Sequence, residues 1–400
     1  MPSQNQMIKP EPLSFDDTSV AFESKSNYQL RKTFLIYLCM DKNWLVKLGT
    51  FFIKLFIFLH FPIKKLIKST VFEQFCGGEN IEECNRTIKP LYDNHITAIL
   101  DYSVGLVETE KNYEKITTEI LKTIDNAAVN NAISFVVFKV SSIAPPELLE
   151  KVQSEIELTK DEKAAYERVR ERMNMICKKA HENKVRAFVD AEESWIQDTI
   201  DTLVYGMMAK FNKEYTTVYN TFQMYRKDML QNLKDAAQDA SDEGYLLGVK
   251  LVRGAYMEKE RQKAHEDNYC EPIFDQKEDT DWHYNAAITF ITEHHDLIAL
   301  CIGTHNEESC KHLVSLMQKQ GISPTDSHFH FAQLLGMSDN VSYSLAKAGY
   351  NVSKYVPYGP IEDVLPYLFH HANENTSVED QAHREYALIK RELLRRQSGK

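Results

Sequence analysis

The chain has 400 residues, 43% of them hydrophobic, and carries a net charge of −11. That is enough apolar content for one large core or two medium ones, which excludes a disordered chain. The acidic balance lacks the bias of a nucleic-acid binder, so small-molecule chemistry is expected and no nucleic-acid partner is. The seven cysteines (39, 76, 84, 177, 270, 301, 310) are odd in number and scattered, with no C-x-x-C. They argue for a reducing compartment and against a disulfide framework or a structural zinc ribbon.

The opening MPSQNQMIKPEPLSFDDTS has neither the apolar core of a secretory signal nor the arginine-rich, acid-poor character of a mitochondrial presequence. A bacterial cytoplasmic protein is the expectation. Residues 43–68, NWLVKLGTFFIKLFIFLHFPIKKLIK, are the most apolar stretch, but Lys47, Lys54 and Pro62 interrupt it too often for a membrane span. Two readings stay open: a helix packed on the main domain, which is favoured, or a basic amphipathic helix resting on the inner face of a membrane. Residues 1–90 are read as an N-terminal helical region and 91–400 as the main domain.

From about residue 90, short β-branched runs recur: 95–104, 133–142, 184–192, 216–223, 245–256, 297–306, 327–336 and 350–359. Segments with helical periodicity separate them, such as EKITTEILKTIDNAAVNN, ERVRERMNMICKKAHEN and ESCKHLVSLMQKQG, the last closing on Gly321 as a helix C-terminus should. Eight strand–helix alternations predict an α/β fold, a distorted (βα)8 barrel with an N-terminal helical extension. The alternative, an open doubly wound sheet, has no G-x-G-x-x-G after the first strand to support it.

In such a barrel the ligand sits at the C-terminal ends of the strands. Those ends are unusually polar here: Lys139; Asp190 with Glu192 and Glu193; Asn220 and Gln223; Lys250 and Arg253; Thr304-His305-Asn306; Gln333; Tyr355. The run GVKLVRGAYMEKER (248–261) poses the question most sharply, because an apolar strand ends in two cations, two small residues and a tyrosine. An edge strand with solvated charges would explain that segment alone equally well. Taken together the residues favour one shared site, since buried charge is costly unless paired or bound to a ligand.

LVRGAYMEKER, VDAEES, IGTHNEES, FAQLLGM and NVSKYVPYGPIEDVLPYL…ENTSV resemble the proline dehydrogenase family, from about residue 75 to the ELLRR near the end. The resemblance implies, for residues 91–400, an FAD-binding barrel of the bacterial monofunctional type that oxidises L-proline to 1-pyrroline-5-carboxylate, the first step of proline catabolism to glutamate. It implies an FAD site made of Asn220, Lys250, Val252, Arg253, Gly254, Ala255, Tyr256, Thr304, His305, Asn306, Gln333 and Glu374. On the substrate side it implies Lys139 and Asp190 as an ion pair beside the bound proline, Leu334 as an apolar wall, and Tyr355 and Tyr367 closing the pocket. Lys139, Asp190 and Tyr355 are the catalytic candidates, no metal is expected, and a membrane quinone is the implied electron acceptor. As a purely structural salt bridge the Lys139–Asp190 pair would still lie inside the barrel.

One departure stands out. The family's two adjacent arginines, which clamp the substrate carboxylate, are replaced in YLFHHANENTSV by His370 and His371. Histidine lacks the guanidinium fork and is mostly neutral at pH 7. A weak enzyme, one shifted toward a related cyclic amine or hydroxyproline, or a flavin-binding barrel with little turnover is therefore the alternative. A metal cluster of His305, His328, His330, His370 and His371 in a barrel hydrolase is a third reading, opposed by the early place of His328 and His330 on their strand.

Overall fold

Eight parallel strands close into a barrel in strict chain order in the computed structural model, which describes residues 13–40, 68–105, 107–364 and 376–399. They are β1 Ile96–Tyr102, β2 Ile133–Lys139, β3 Arg186–Asp190, β4 Val218–Gln223, β5 Leu247–Val252, β6 Ile298–Gly303, β7 Phe329–Leu334 and β8 Val352–Tyr358. All eight fall within the runs expected from sequence. Closure is made by β1 on β8, in register from Ile96 opposite Val352 to Tyr102 opposite Tyr358.

Alternation along each strand makes two apolar layers. Ile99, Phe135, Val137, Phe188, Tyr219, Ala299, Cys301 and Ala332 point inward and fill the barrel. Phe135 stacks on Phe188 at 4.2 Å between ring centres, with Tyr219 edge-on to both. Gly248 is what lets that ring in, since a Cβ there would lie 2.8 Å from Tyr219 Cγ and 2.3 Å from the Val218 carbonyl oxygen. Residues one position away, including Leu100, Val136, Val189, Phe222, Leu251 and Ile302, join the larger outer core beneath the helices.

Before the barrel come α1 (Thr18–Ala21), α2 (Asn27–Met40) and α3 (Ile81–Tyr92), the last running through residue 90, the expected domain boundary. The helices between strands are α4 Glu110–Val129, α5 Pro146–Gln153, α6 Lys160–Glu182, α7 Ser194–Phe211, α8 Met229–Glu243, α9 Met257–Asp267, α10 Lys277–Glu293, α11 Glu307–Gln320 and α12 Asp339–Lys347. α6 starts with a Thr159/Glu162 capping box, and α11 ends on left-handed Gly321 as its sequence predicts.

The terminal helix α13 (Thr376–Gln397) packs along α2, where Ala21, Phe22, Leu30 and Tyr37 meet Ala382, Leu388 and Ile389. Arg396 donates to the carbonyls of Phe22 and Lys25 at 2.7 and 2.8 Å, tying the two ends of the chain together. Among the described residues no helix is long and apolar enough to cross a membrane. Most of the 43–68 segment lies outside the described residues.

Candidate active site

The C-terminal mouth of the barrel gathers charge that the aromatic layer beneath it excludes. Asp190, at the end of β3, accepts from Lys250 Nζ at 2.5 Å on one oxygen and from the Tyr355 hydroxyl at 3.1 Å on the other. Lys250 is buried between two rings, 5.3 Å from the centre of Phe188 and 5.1 Å from that of Tyr355. The expected Lys139–Asp190 ion pair is therefore replaced by Lys250–Asp190. Lys139 is the register neighbour of Asp190, but its ammonium donates to Tyr256 Oη at 3.0 Å. Lys250 reaches Asp190 from β5, two strands away across β4, whereas the ammonium of Lys139 on the adjacent β2 is turned to Tyr256.

The end of β5 forms a second cluster. Arg253 donates through Nε to Asp281 at 2.6 Å, through Nη1 to Thr304 at 2.7 Å and through Nη2 to Ser309 at 3.0 Å, and lies 4.4 Å from the centre of the Tyr284 ring. Three of its five N–H donors are thus used, which fixes the guanidinium plane and leaves two for a ligand. Gly254 follows at φ +147°, with its Cα against the face of Tyr225, where a Cβ would come within 2.4 Å of the ring. Only glycine passes there. The next amide, Ala255 N, donates to Gln223 Oε1 at 3.1 Å, and Gln223 Nε2 reaches the Glu192 carbonyl at 2.7 Å. Val252 lies beside Gly303, whose missing side chain leaves room for it.

Thr304, His305 and Asn306 run from β6 into α11, whose N-cap is Asn306, its Oδ1 accepting from Ser309 N at 3.1 Å. His305 Nδ1 meets Ser338 Oγ at 2.8 Å. Burial, reinforced by Lys354 and Arg253, pushes the imidazole pKa down to about 3, so His305 is a neutral hydrogen-bonding group. Fixed N–H groups, a helix N-terminus and a partly engaged guanidinium suit an anionic cofactor.

Two expected cofactor residues face the other way. Asn220 sits on the outward alternation of β4 and donates to Asp201 of α7 at 2.7 Å. Gln333 likewise points outward, between the Thr304 carbonyl at 3.1 Å and Ser342 Oγ at 2.9 Å. Leu334, one residue on, is 42% exposed at the mouth. Tyr367, His370, His371 and Glu374 lie outside the described residues. The remaining histidines are dispersed, with His328 on Asp326 at 3.0 Å and His330 on Arg186 at 3.1 Å.

Asp101, at the end of β1, was missed from sequence. It is buried, accepts from Ser103 Oγ, and has its carboxyl raised by burial and by the neighbouring Asp190, against the pull of Ser103, Tyr355 and Lys139. Its inward alternation from Ile99 was the available signal. Glu192 is buried too, accepting from Ser141 N at 2.8 Å and from the Ser141 hydroxyl, and burial raises its carboxyl.

The family model for proline dehydrogenase matches residues 84–384. The carbapenem antibiotics biosynthesis protein CarD of Pectobacterium carotovorum subsp. carotovorum is 34% identical over 325 residues, which is 81% of this chain and 84% of that protein. Mitochondrial proline dehydrogenase 1 of Dictyostelium discoideum is 31% identical over 426 residues, covering 95% and 74%. The human mitochondrial proline dehydrogenase 1 is 41% identical over 241 residues, covering 60% of this chain but only 40% of the human protein. Among solved structures, proline utilization A from Bdellovibrio bacteriovorus, inactivated by N-propargylglycine, superposes with a TM-score of 0.71 at 17% identity, over 93% of this chain and 40% of that one.

Proposed function

Because the chain belongs to the proline dehydrogenase family, we propose that it oxidises L-proline to 1-pyrroline-5-carboxylate with FAD as hydride acceptor and a membrane quinone as the final oxidant. The observation that carries this reading is the meeting, at one barrel mouth, of the Asp190–Lys250–Tyr355 network, the Lys139–Tyr256 pair and the anion-suited end of β5.

The fit to FAD rests on three features: the Gly254 backbone passing where no Cβ could, the two uncommitted N–H groups of Arg253, and the neutral, half-buried His305 at the start of α11. Arg253, the 254–256 backbone, Thr304, His305 and Asn306 would hold it, and bound FAD supplies the electron sink for the hydride. The chain's own contribution is positioning. Leu334 walls the ring methylenes, while Tyr355 and Lys250 fix the Asp190 carboxylate so that the substrate has one orientation. The substrate amine must lose its proton before its lone pair can form the imine. His370 and His371 would face the carboxylate, with Tyr367 closing the pocket and Glu374 on the cofactor side. The lysines of 43–68, beside its Phe/Leu face, would rest on an anionic leaflet where quinone is found. Flotation with anionic liposomes tests that contact.

The protein should purify yellow, lose its flavin band when L-proline is added anaerobically, and release a product that traps as the o-aminobenzaldehyde adduct. A preparation that stays colourless after reconstitution with FAD, or a yellow one that proline does not bleach, refutes the reading.

A further inference from the structure

We propose that the cavity between the β1–α4 connection, the inner face of α4 and the start of α5 binds the ring of an uncharged quinone. The cavity is about 220 Å³, shares Asp101 and Lys139 with the barrel mouth, and is walled by Val104, Ile116, Ile120 and Phe138. It rests on the reading above, because an amine oxidation takes two electrons from each substrate and a second oxidant must remove them. A quinone does so by accepting two electrons and two protons, its two carbonyl oxygens becoming hydroxyls.

Tyr113 is the observation that points to a ligand. Its side chain lines the cavity and is only 4% exposed, yet its hydroxyl has no hydrogen-bond partner among the described residues. A buried phenol O–H without an acceptor is costly, and a carbonyl oxygen in the cavity would satisfy it. The Arg172 guanidinium lies 5.7 Å from the ring centre and holds the ring from its other partners, Glu110 and the Ile143 carbonyl. The serine hydroxyls nearby are already committed: Ser103 to Asp101, Ser141 to Glu192 and Ser142 to the Lys139 carbonyl at 2.6 Å.

The lining also selects charge. Two carboxyl groups, Asp101 and Glu108, border the cavity against the single ammonium of Lys139, and Lys139 is engaged by Tyr256. An amino-acid carboxylate or a phosphate is therefore disfavoured, whereas a neutral ring with a carbonyl oxygen meets apolar walls and the Tyr113 hydroxyl as donor. Glu108, an exposed carboxyl, borders the cavity at its rim. At the lip, Val107 is 76% exposed, an apolar step over which an isoprenoid tail can leave.

The probe is a ubiquinone with a single isoprene unit, titrated calorimetrically into the FAD-loaded protein, with turnover and anaerobic proline bleaching measured alongside. Tyr113→Phe should weaken quinone binding and raise its KM about three- to tenfold, while proline bleaching is unchanged and the melting temperature is equal or higher, since an unsatisfied hydroxyl is removed. Val107→Asp, at an exposed position, should weaken the tailed quinone more than a tailless benzoquinone. Quinone binding within twofold of wild type in both variants overturns the proposal. So does a Tyr113→Phe protein whose proline bleaching slows in step with quinone binding, which would assign the cavity to the amino acid. Because quinone binding is measured directly, a wild type that proline does not bleach refutes the proline reading and leaves the cavity decided by the titration.

Discussion

Asp190, half-buried, and Asp339, buried, are two carboxylates on the same barrel, each held by lysine, and their surroundings give them different work. Asp339, at the start of α12, receives Lys25 of the N-terminal arm at 2.5 Å and Lys354 of β8 at 2.9 Å, and Lys354 is wholly inaccessible and also donates to the Leu334 and Met337 carbonyls. Asp190 receives one lysine and one tyrosine and opens on the mouth. The first arrangement is buried at Asp339 and Lys354, with only Lys25 partly exposed, and joins the arm to the barrel. The second lies at the open end of the barrel, with the Asp190 side chain 14% exposed. The contrast predicts that breaking the Asp339 site is felt in stability and breaking the Asp190 site in turnover.

Asp339→Ala should show the largest effect. It strands two lysine ammonium groups, one fully buried, and removing one partner of a buried ion pair costs about 3–5 kcal/mol. The two lysines hold the Asp339 carboxyl well below the usual carboxylate range despite burial, so the site contributes above pH 4 and fails only in strong acid. Urea unfolding at pH 7 measures the loss. A shift below 1 kcal/mol would mean that the arm is not fastened through Asp339.

Asp190→Ala should instead leave the urea midpoint closer to wild type while kcat/KM for proline falls by about a hundredfold, the scale of a misplaced substrate. Asp190→Asn, which keeps an acceptor for Tyr355 but not the charge beside Lys250, should fall between. Equal stability losses at Asp190 and Asp339 with unchanged kinetics would erase the distinction between the two sites.

How much of this was legible in the sequence follows from the range of the forces. Each strand is a local run of β-branched residues, so all eight appear in the sequence, and so do the charges that break the pattern at their ends: Lys139, Asp190, Lys250 and Arg253. Partner choice is not local. Lys250 and Asp190 are 60 residues apart, and Lys25 and Asp339 are 314 apart, so neither pair leaves a spacing to read. Face is equally hard to read from spacing. Asn220 and Gln333 are polar residues near strand ends, but a single-residue step in a strand reverses the side chain, and both point to the helical layer. Asp101 went unnoticed for the converse reason, a lone carboxylate in the otherwise unremarkable run ITAILDY.

Arg253→Ala sharpens the comparison at the cofactor end of the mouth. It removes the guanidinium from Asp281, Thr304 and Ser309 together. FAD affinity should drop by about tenfold, one charge-assisted bond, as measured by the flavin retained through dialysis. Stability should fall less than for Asp339→Ala, because Asp281 is about a quarter exposed and keeps Lys277 at 2.7 Å. Full retention of FAD would show that Arg253 serves only to pin Thr304.

The smallest expected effect comes from the floor beneath the mouth. His330 points into the barrel, edge-on to Phe135 at 4.9 Å, with Arg186 Nη1 3.1 Å from its Nε2. Burial, then Arg186, pushes its pKa well below the ordinary 6.5, so the folded ring stays neutral through mild acid. The unfolded ring takes up a proton near pH 6.5, so the contribution is complete above that value and is lost as pH falls below it. At pH 6.0 the unfolded state gains about 0.8 kcal/mol from this one group, growing by about 1.4 kcal/mol for each further unit of acid until the folded ring protonates. His330→Gln keeps an acceptor for Arg186 and removes the titration. The difference between wild type and variant in urea stability should therefore shrink or widen by that amount between pH 8 and pH 6, always at the expense of wild type in acid. A difference independent of pH would mean that water and a proton reach the barrel floor, and that the aromatic layer of Phe135, Phe188 and Tyr219 does not seal it from the charged mouth above.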